Sequence, residues 1–312
     1  MKTLKAFAAL LLALTLGAAP AMAAQTVAGA ESFDFLNLDA NARAVALGGA
    51  YTALATDSNA LLYNPAGLAR VDRQEATFMH NQYLQDAAQE YLAWASKQGF
   101  GASLNYLDFG SADRTTYGQP DGTGSRVGMS DLALSGGYGR AFGALAVGGG
   151  LKVIHESIDN VSATGAALDA GVLYTAPQLA GLRLGASIVN MGPAVKFDVA
   201  KEKLPTELRA GAAYSRDLLG AKDTLAFDLS KQLTDKVRLG IGGETVIGRM
   251  MALRMGFTTR NDAGIGITAG VGWVWRDLNI DYAIVPFGDL GLAHRLSLTF
   301  RWGAPRSGAA VQ

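Results

Sequence analysis

From Gln74 to the end of the chain, hydrophobic and polar positions alternate with a period of two. Between residues 264 and 275, Ile265, Ile267, Ala269, Val271, Trp273 and Trp275 share one parity, and Gly264, Gly266, Thr268, Gly270, Gly272 and Val274 share the other. Met251, Leu253, Met255 and Phe257 oppose Ala252, Arg254 and Gly256. Leu278, Ile280, Tyr282 and Ile284 oppose Asn279, Asp281 and Ala283, and Leu296, Leu298, Phe300 and Trp302 oppose Arg295, Ser297, Thr299 and Arg301. Such dyads mark strands with one apolar face. They predict about fourteen strands, an even number as a single-chain barrel requires. The segments are 75–83, 88–97, 99–108, 130–140, 145–156, 163–175, 182–190, 206–216, 223–231, 236–247, 250–259, 263–275, 278–286 and 292–302.

The connections agree with that count. The two longest, 108–129 and 190–205, follow the third and seventh segments and so fall at one end, while tight turns such as Gly248-Arg249 and Arg276-Asp277 fall at the other. Transmembrane barrels alternate long and short connections in this way. The loop 108–129 is rich in Gly, Ser, Thr and Asp. A solvated surface and a partner-binding surface are equally compatible with it.

Ahead of the strands the period is lost. Lys2 and Lys5, an apolar run over 7–18 and Ala21-Met22-Ala23 have the form of a secretory signal peptide over 1–23. No later run of some 18 apolar residues predicts a transmembrane helix. No Cys is present, which excludes a disulfide framework. In the stretch 35–69, Gly48-Gly49 predicts positive φ or close backbone approach. Asp57 or Ser58 is expected to cap a short helix over 59–63. Asn64, placed before Pro65, is expected to end it, and Gly67 to turn the chain toward the first strand.

Alternation alone leaves open which face points outward, since a soluble sheet turns its apolar face inward. Three features select the membrane. The chain carries an export signal. Its less apolar face is Gly, Ala, Ser and Thr with few charges, and charged residues make up only 17% of the chain against 39 glycines. Aromatics (Tyr106, Tyr138, Tyr174, Tyr214, Trp273, Trp275, Tyr282, Trp302) gather near strand ends, as interfacial girdles require. The expected fold is therefore all-β, a transmembrane antiparallel barrel in the outer membrane of a Gram-negative-type bacterium, with lipid around it and the barrel assembly machinery as its partner during biogenesis. About fourteen strands enclose a lumen wider than side chains alone can fill. The expected division is signal peptide 1–23, plug or hatch 24–73, barrel 74–303 and tail 304–312. Residues 48–67 are expected inside or across the periplasmic mouth, with Gly48, Gly49, Asn64, Pro65, Ala66 and Gly67 as the hatch motif.

The charges expected to face the lumen are Asp169, Arg209, Asp228, Arg238, Glu244, Arg254, Asp281, Arg295 and Arg301. They read either as a polar solute path or, preferably, as a ladder pairing strands with one another and with the plug, because buried charges need partners. His80, His155 and His294 lie far apart in sequence and predict no metal site. Gly148-Gly149-Gly150 and Gly240-x-Gly242-Gly243 continue strand pattern and are not followed by a helix, which argues against a nucleotide loop. They are better explained as small residues facing a crowded lumen or easing strand curvature. No catalytic constellation stands out, no cofactor is expected, and a net charge of zero without a basic patch argues against nucleic acid.

Residues 44–68, with Gly48-Gly49-Ala50-Tyr51 and Asn64-Pro65-Ala66-Gly67-Leu68, resemble the opening of the PorV/PorQ group within the FadL-like outer-membrane barrels. The likeness continues in order through 78–84, 90–93, 181–185, 189–193, 204–211, 281–283 and 290–297, nearly the whole mature chain. It implies a fourteen-stranded outer-membrane barrel with an N-terminal hatch. It also implies a role: a protein secretion or cargo-handling component of type IX kind, meeting secretion-system proteins or cargo. The alternative is a FadL-like passive transporter of hydrophobic small molecules such as long-chain fatty acids, or a structural barrel with no solute path. In one respect the chain departs from such barrels, because residues 303–312 follow the final aromatic, Trp302.

Overall fold

The computed structural model describes residues 33–83, 87–197, 200–218, 220–233, 235–261 and 264–306. The expected signal peptide, the start of the expected plug and the end of the tail lie outside the described residues.

Fourteen strands close a barrel. In chain order they are β1 (Gln74–Gln82), β2 (Ala88–Ala95), β3 (Phe100–Asp113), β4 (Arg126–Phe142), β5 (Leu145–Ile158), β6 (Val161–Thr175) and β7 (Leu182–Met191), then β10 (Glu207–Leu218), β11 (Ala221–Gln232), β12 (Val237–Ile247), β13 (Met251–Thr258), β14 (Ile267–Trp275), β15 (Leu278–Pro286) and β16 (Leu292–Trp302). Between β7 and β10, β8 (Val195–Phe197) and β9 (Ala200–Glu202) form a separate two-stranded ribbon. Every barrel neighbour is antiparallel, and β1 pairs with β16 from Gln74↔Trp302 to Gln82↔His294. The long connections and the ribbon share one end of the barrel, the short turns the other.

The dyads point as the membrane reading requires. Leu225 and Met255 are each 67% exposed on the outer wall, while Thr77 and Ser297 are fully buried on the inner one. An apolar outside around a polar inside is what lipid selects and water rejects. Met255, on the outer wall of β13, faces the hydrocarbon, so Met255→Arg is expected to destabilise the barrel by about 2–4 kcal/mol if it lies near the midplane. Urea titration of the variant in lipid vesicles checks this. The aromatic girdle holds with one correction. Tyr174 is buried under Ala144, Leu182 and Leu184 rather than exposed, because the loose β6–β7 turn folds back over it.

The expected loop 108–129 is shorter than its sequence suggests, since 108–113 and 126–129 belong to β3 and β4. A register shift at Asp108–Ser111, with Gly110 at φ 75°, lets β3 and β4 keep pairing out to Asp113↔Arg126. The wall is therefore uneven: β4 has 17 residues and β13 only 8.

The chain ahead of β1 runs inside this wall. Phe33, Phe35 and Leu36 pack at the long-loop end against Leu107, Ile154 and Ala163, with Val195 of the ribbon covering them. Arg70, at the other extreme, donates to the Gly143 carbonyl in the β4–β5 turn, 2.6 Å away. Residues 33–73 thus traverse the lumen from end to end rather than collecting at the short-turn mouth. Small wall residues make room for them. A Cβ on Gly242 would lie 2.5 Å from the Leu47 carbonyl oxygen, and one on Gly148 would lie 2.3 Å from that of Pro65.

Candidate functional site

The inner segment is built from short turns. Asn41 caps the helix Ala42–Ala46, its side chain accepting from the Ala44 N–H at 3.1 Å. Gly48 and Gly49 follow at φ 65° and 76°. Asp57 accepts from the Asn59 N–H at 3.0 Å ahead of the helix Ala60–Tyr63. Extended Asn64 ends that helix, but the chain then continues as a 3-10 helix, Pro65–Arg70. Gly67 lies within it and makes a close contact with the Ala55 carbonyl, not a turn into β1. Asn64 ties the segment to the wall, donating to the carbonyls of Thr52 (3.1 Å) and Val172 (3.0 Å) while accepting from the Ala66 N–H at 3.2 Å.

Wall carboxylates hold the segment by its backbone. Asp228 accepts from the N–H groups of Tyr51 (3.0 Å) and Thr52 (2.8 Å), Glu75 from that of Ser58 (2.6 Å), and Glu156 from that of Phe33 (2.6 Å). Glu244 is shared between Arg43 of the segment (2.7 Å) and Arg254 of β13 (2.6 Å), and Arg254 reaches on to Asp281 at 2.6 Å.

The other expected lumen charges separate into local pairs. Asp169 accepts from the Asn190 N–H at 2.7 Å and faces Lys152 at 3.4 Å. Arg209 binds Glu207 at 2.6 Å and lies over the Tyr63 ring at 5.5 Å. Arg238 binds Asp235 at 2.5 Å, and Arg301 binds Glu75 at 2.7 Å. Arg295, only 5% exposed, makes no hydrogen bond to any described residue, and its Nε is without a partner. Sequence reasoning missed Glu75, Lys152, Glu156 and Glu207, although each shares an inward parity with residues that it did select. It also missed Arg260, which lies just past β13 where no period marks it.

Two cavities meet at Arg260. The outer one, a recess of about 100 Å³ at the long-loop end, lies between the segment and strands β13 to β16. Val45, Tyr83, Val285 and Phe287 form its apolar side, and the rings of Tyr83 and Phe287 meet edge to face at 5.6 Å. Asp39, Asn261, Thr268 and Arg295 form its polar side. The inner cavity, lined by Arg209, Asp228, Ser230 and Arg238, measures about 20 Å³, room for one water. Arg260 lines both and donates to the Asn37 carbonyl (2.7 Å), Glu207 (2.6 Å) and Ser230 (3.2 Å). Among the described residues no cluster of His, Cys, Asp and Glu forms a metal site.

Solved structures share this fold. The toluene transporter TbuX of Ralstonia pickettii is 14% identical, with 84% of this chain and 98% of that one covered and a TM-score of 0.59. The toluene transporter TodX of Pseudomonas putida is 13% identical over 84% of this chain and 98% of that one, TM-score 0.57. A FadL homologue of Pseudomonas aeruginosa is 12% identical over 88% of this chain and 98% of that one, TM-score 0.51. At such identities the likeness is one of fold. No curated protein sequence matches the chain. The pattern of the uncharacterised protein family UPF0164 matches residues 12–176, more than half the chain. The chain therefore belongs to the UPF0164 family, built as a closed fourteen-strand antiparallel barrel whose fold matches that of FadL-like outer-membrane barrels.

Proposed function

We propose that the chain is a non-enzymatic, passive outer-membrane conduit for small hydrophobic solutes. The observation that carries this reading is the recess, which offers an apolar surface at the long-loop end, on the low side of the wall. The toluene transporters TbuX and TodX share the fold, and their cargo supports the same solute class. Below the recess the inner segment fills the lumen, so a solute advances only when that segment shifts. The secretion role implied by the PorV/PorQ resemblance gains no support from the site. A cargo-docking component calls for a broad polar mouth, and this mouth is small and half apolar.

Uptake tests the reading. Cells with an intact lipopolysaccharide layer that express the chain are expected to accumulate labelled toluene several-fold faster than cells without it. Phe287→Asp, which puts a charge in the apolar side of the recess, is expected to abolish the gain. Equal uptake with and without the barrel refutes the conduit.

A further inference from the structure

Arg295 is a buried cation whose guanidinium is unpaired among the described residues. It stands on the inner wall of β16, 5% exposed, lines the recess, and makes no hydrogen bond or ion pair with a described residue. Asp39 and Tyr83 line the same recess, and neither makes a side-chain hydrogen bond or ion pair with it. The other arginine of the recess, Arg260, is fully engaged by Asn37, Glu207 and Ser230. A buried guanidinium left without an ion pair is costly, and the cost falls when an anion arrives. Its planar fork fits a carboxylate through two parallel hydrogen bonds.

Resting on the conduit reading, we propose that the recess is a binding site for a small carboxylate-bearing hydrophobe. Its carboxylate sits on Arg295, and its single ring or short branched body lies against Val45, Tyr83, Val285 and Phe287. Size sets the limit. A closed apolar cavity of about 150 Å³ takes benzene, and this recess of about 100 Å³ holds a ring only because its mouth is open. A long alkyl chain does not fit. A neutral hydrocarbon fits the apolar side but leaves Arg295 unpaired.

The test is equilibrium binding of benzoate and, separately, of toluene to the refolded full chain in detergent, measured by calorimetry. Benzoate is expected to bind saturably. Arg295→Gln is expected to weaken benzoate at least about tenfold and far more than it alters toluene, and Arg295→Lys to restore part of the loss. Asp39→Asn, which removes the nearest competing carboxylate and leaves the β16 wall intact, is expected to tighten benzoate severalfold. It keeps the test open should Arg295→Gln fail to fold. Equal benzoate affinity in wild type, Arg295→Gln and Asp39→Asn overturns the assignment. Toluene binding without benzoate binding overturns it too, but leaves the conduit standing. Binding of neither also overturns it, and uptake then judges the conduit separately.

Discussion

In planar bilayers the barrel carrying Glu244→Ala is expected to conduct in fluctuating steps where the wild-type chain is nearly silent. Glu244 grips a charged side chain of the inner segment deep in the lumen, holding Arg43 through both oxygens at 2.7 and 2.8 Å. It also faces Arg254, with side chains only 4% and 6% exposed. Its removal leaves two guanidinium groups sharing what remains. Arg254 keeps Asp281, whereas Arg43 keeps only its contact with Tyr51 at 3.4 Å. Deleting one partner of a fully buried pair costs about 3–5 kcal/mol, and less is expected here because the Arg43 side chain is 30% exposed. Because Asp228 and Glu75 still hold the backbone at residues 51, 52 and 58, the segment is expected to come and go rather than leave. Asp235→Ala, which unpairs Arg238 at the rim, is the control and is expected to stay silent. A silent Glu244→Ala barrel with an unchanged melting temperature refutes the view that this contact seats the segment.

Gly67→Ala is expected to be the most damaging added methyl among the described glycines. A Cβ there would fall 1.5 Å from the Ala55 carbonyl oxygen and 2.7 Å from its carbon, so backbone meets backbone with no flexible side chain to yield. Either the Pro65–Arg70 turn or residues 53–56 must move, and both are buried against the wall. Overpacking of this kind costs about 1–3 kcal/mol or more. A lower unfolding midpoint, together with conductance like that of Glu244→Ala, is the expected result. Gly136→Ala, whose added methyl meets nothing, is expected to match wild type in both assays. If Gly67→Ala matches it as well, the segment is looser than its packing indicates.

The barrel was legible because strand alternation is a local property. Each dyad names its own inward and outward residues, and the parity of two long connections was enough to check the count. Strand ends were less legible where a bulge decided them. Asp108-Phe109-Gly110 looks like the start of a loop, yet the register shift there adds a further stretch of ladder. The ribbon β8–β9 was missed because three-residue strands carry no period. For the inner segment, Gly48-Gly49 and Asn64-Pro65 announced turns, but how far the segment travels was not readable. Its path is fixed by contacts such as Leu47 with Gly242 and Pro65 with Gly148, each spanning a long stretch of chain. The recess was hidden for the same reason. Val45, Tyr83, Val285 and Arg295 come from four separate parts of the sequence and meet only once the barrel is closed.

That end-to-end path sets an order of events during assembly. The segment touches both strands of the closing seam: Ala42 N–H donates to Ser297 of β16 at 2.9 Å, and Ser58 meets Glu75 and Thr77 of β1. A thread that reaches from one rim to the other, packed against the wall along most of its length, does not pass through a barrel that has already closed. It must already lie along the nascent sheet when β1 and β16 zip together. Closure of the seam and filling of the interior are thus one step, and the first residues made are among the last to be committed.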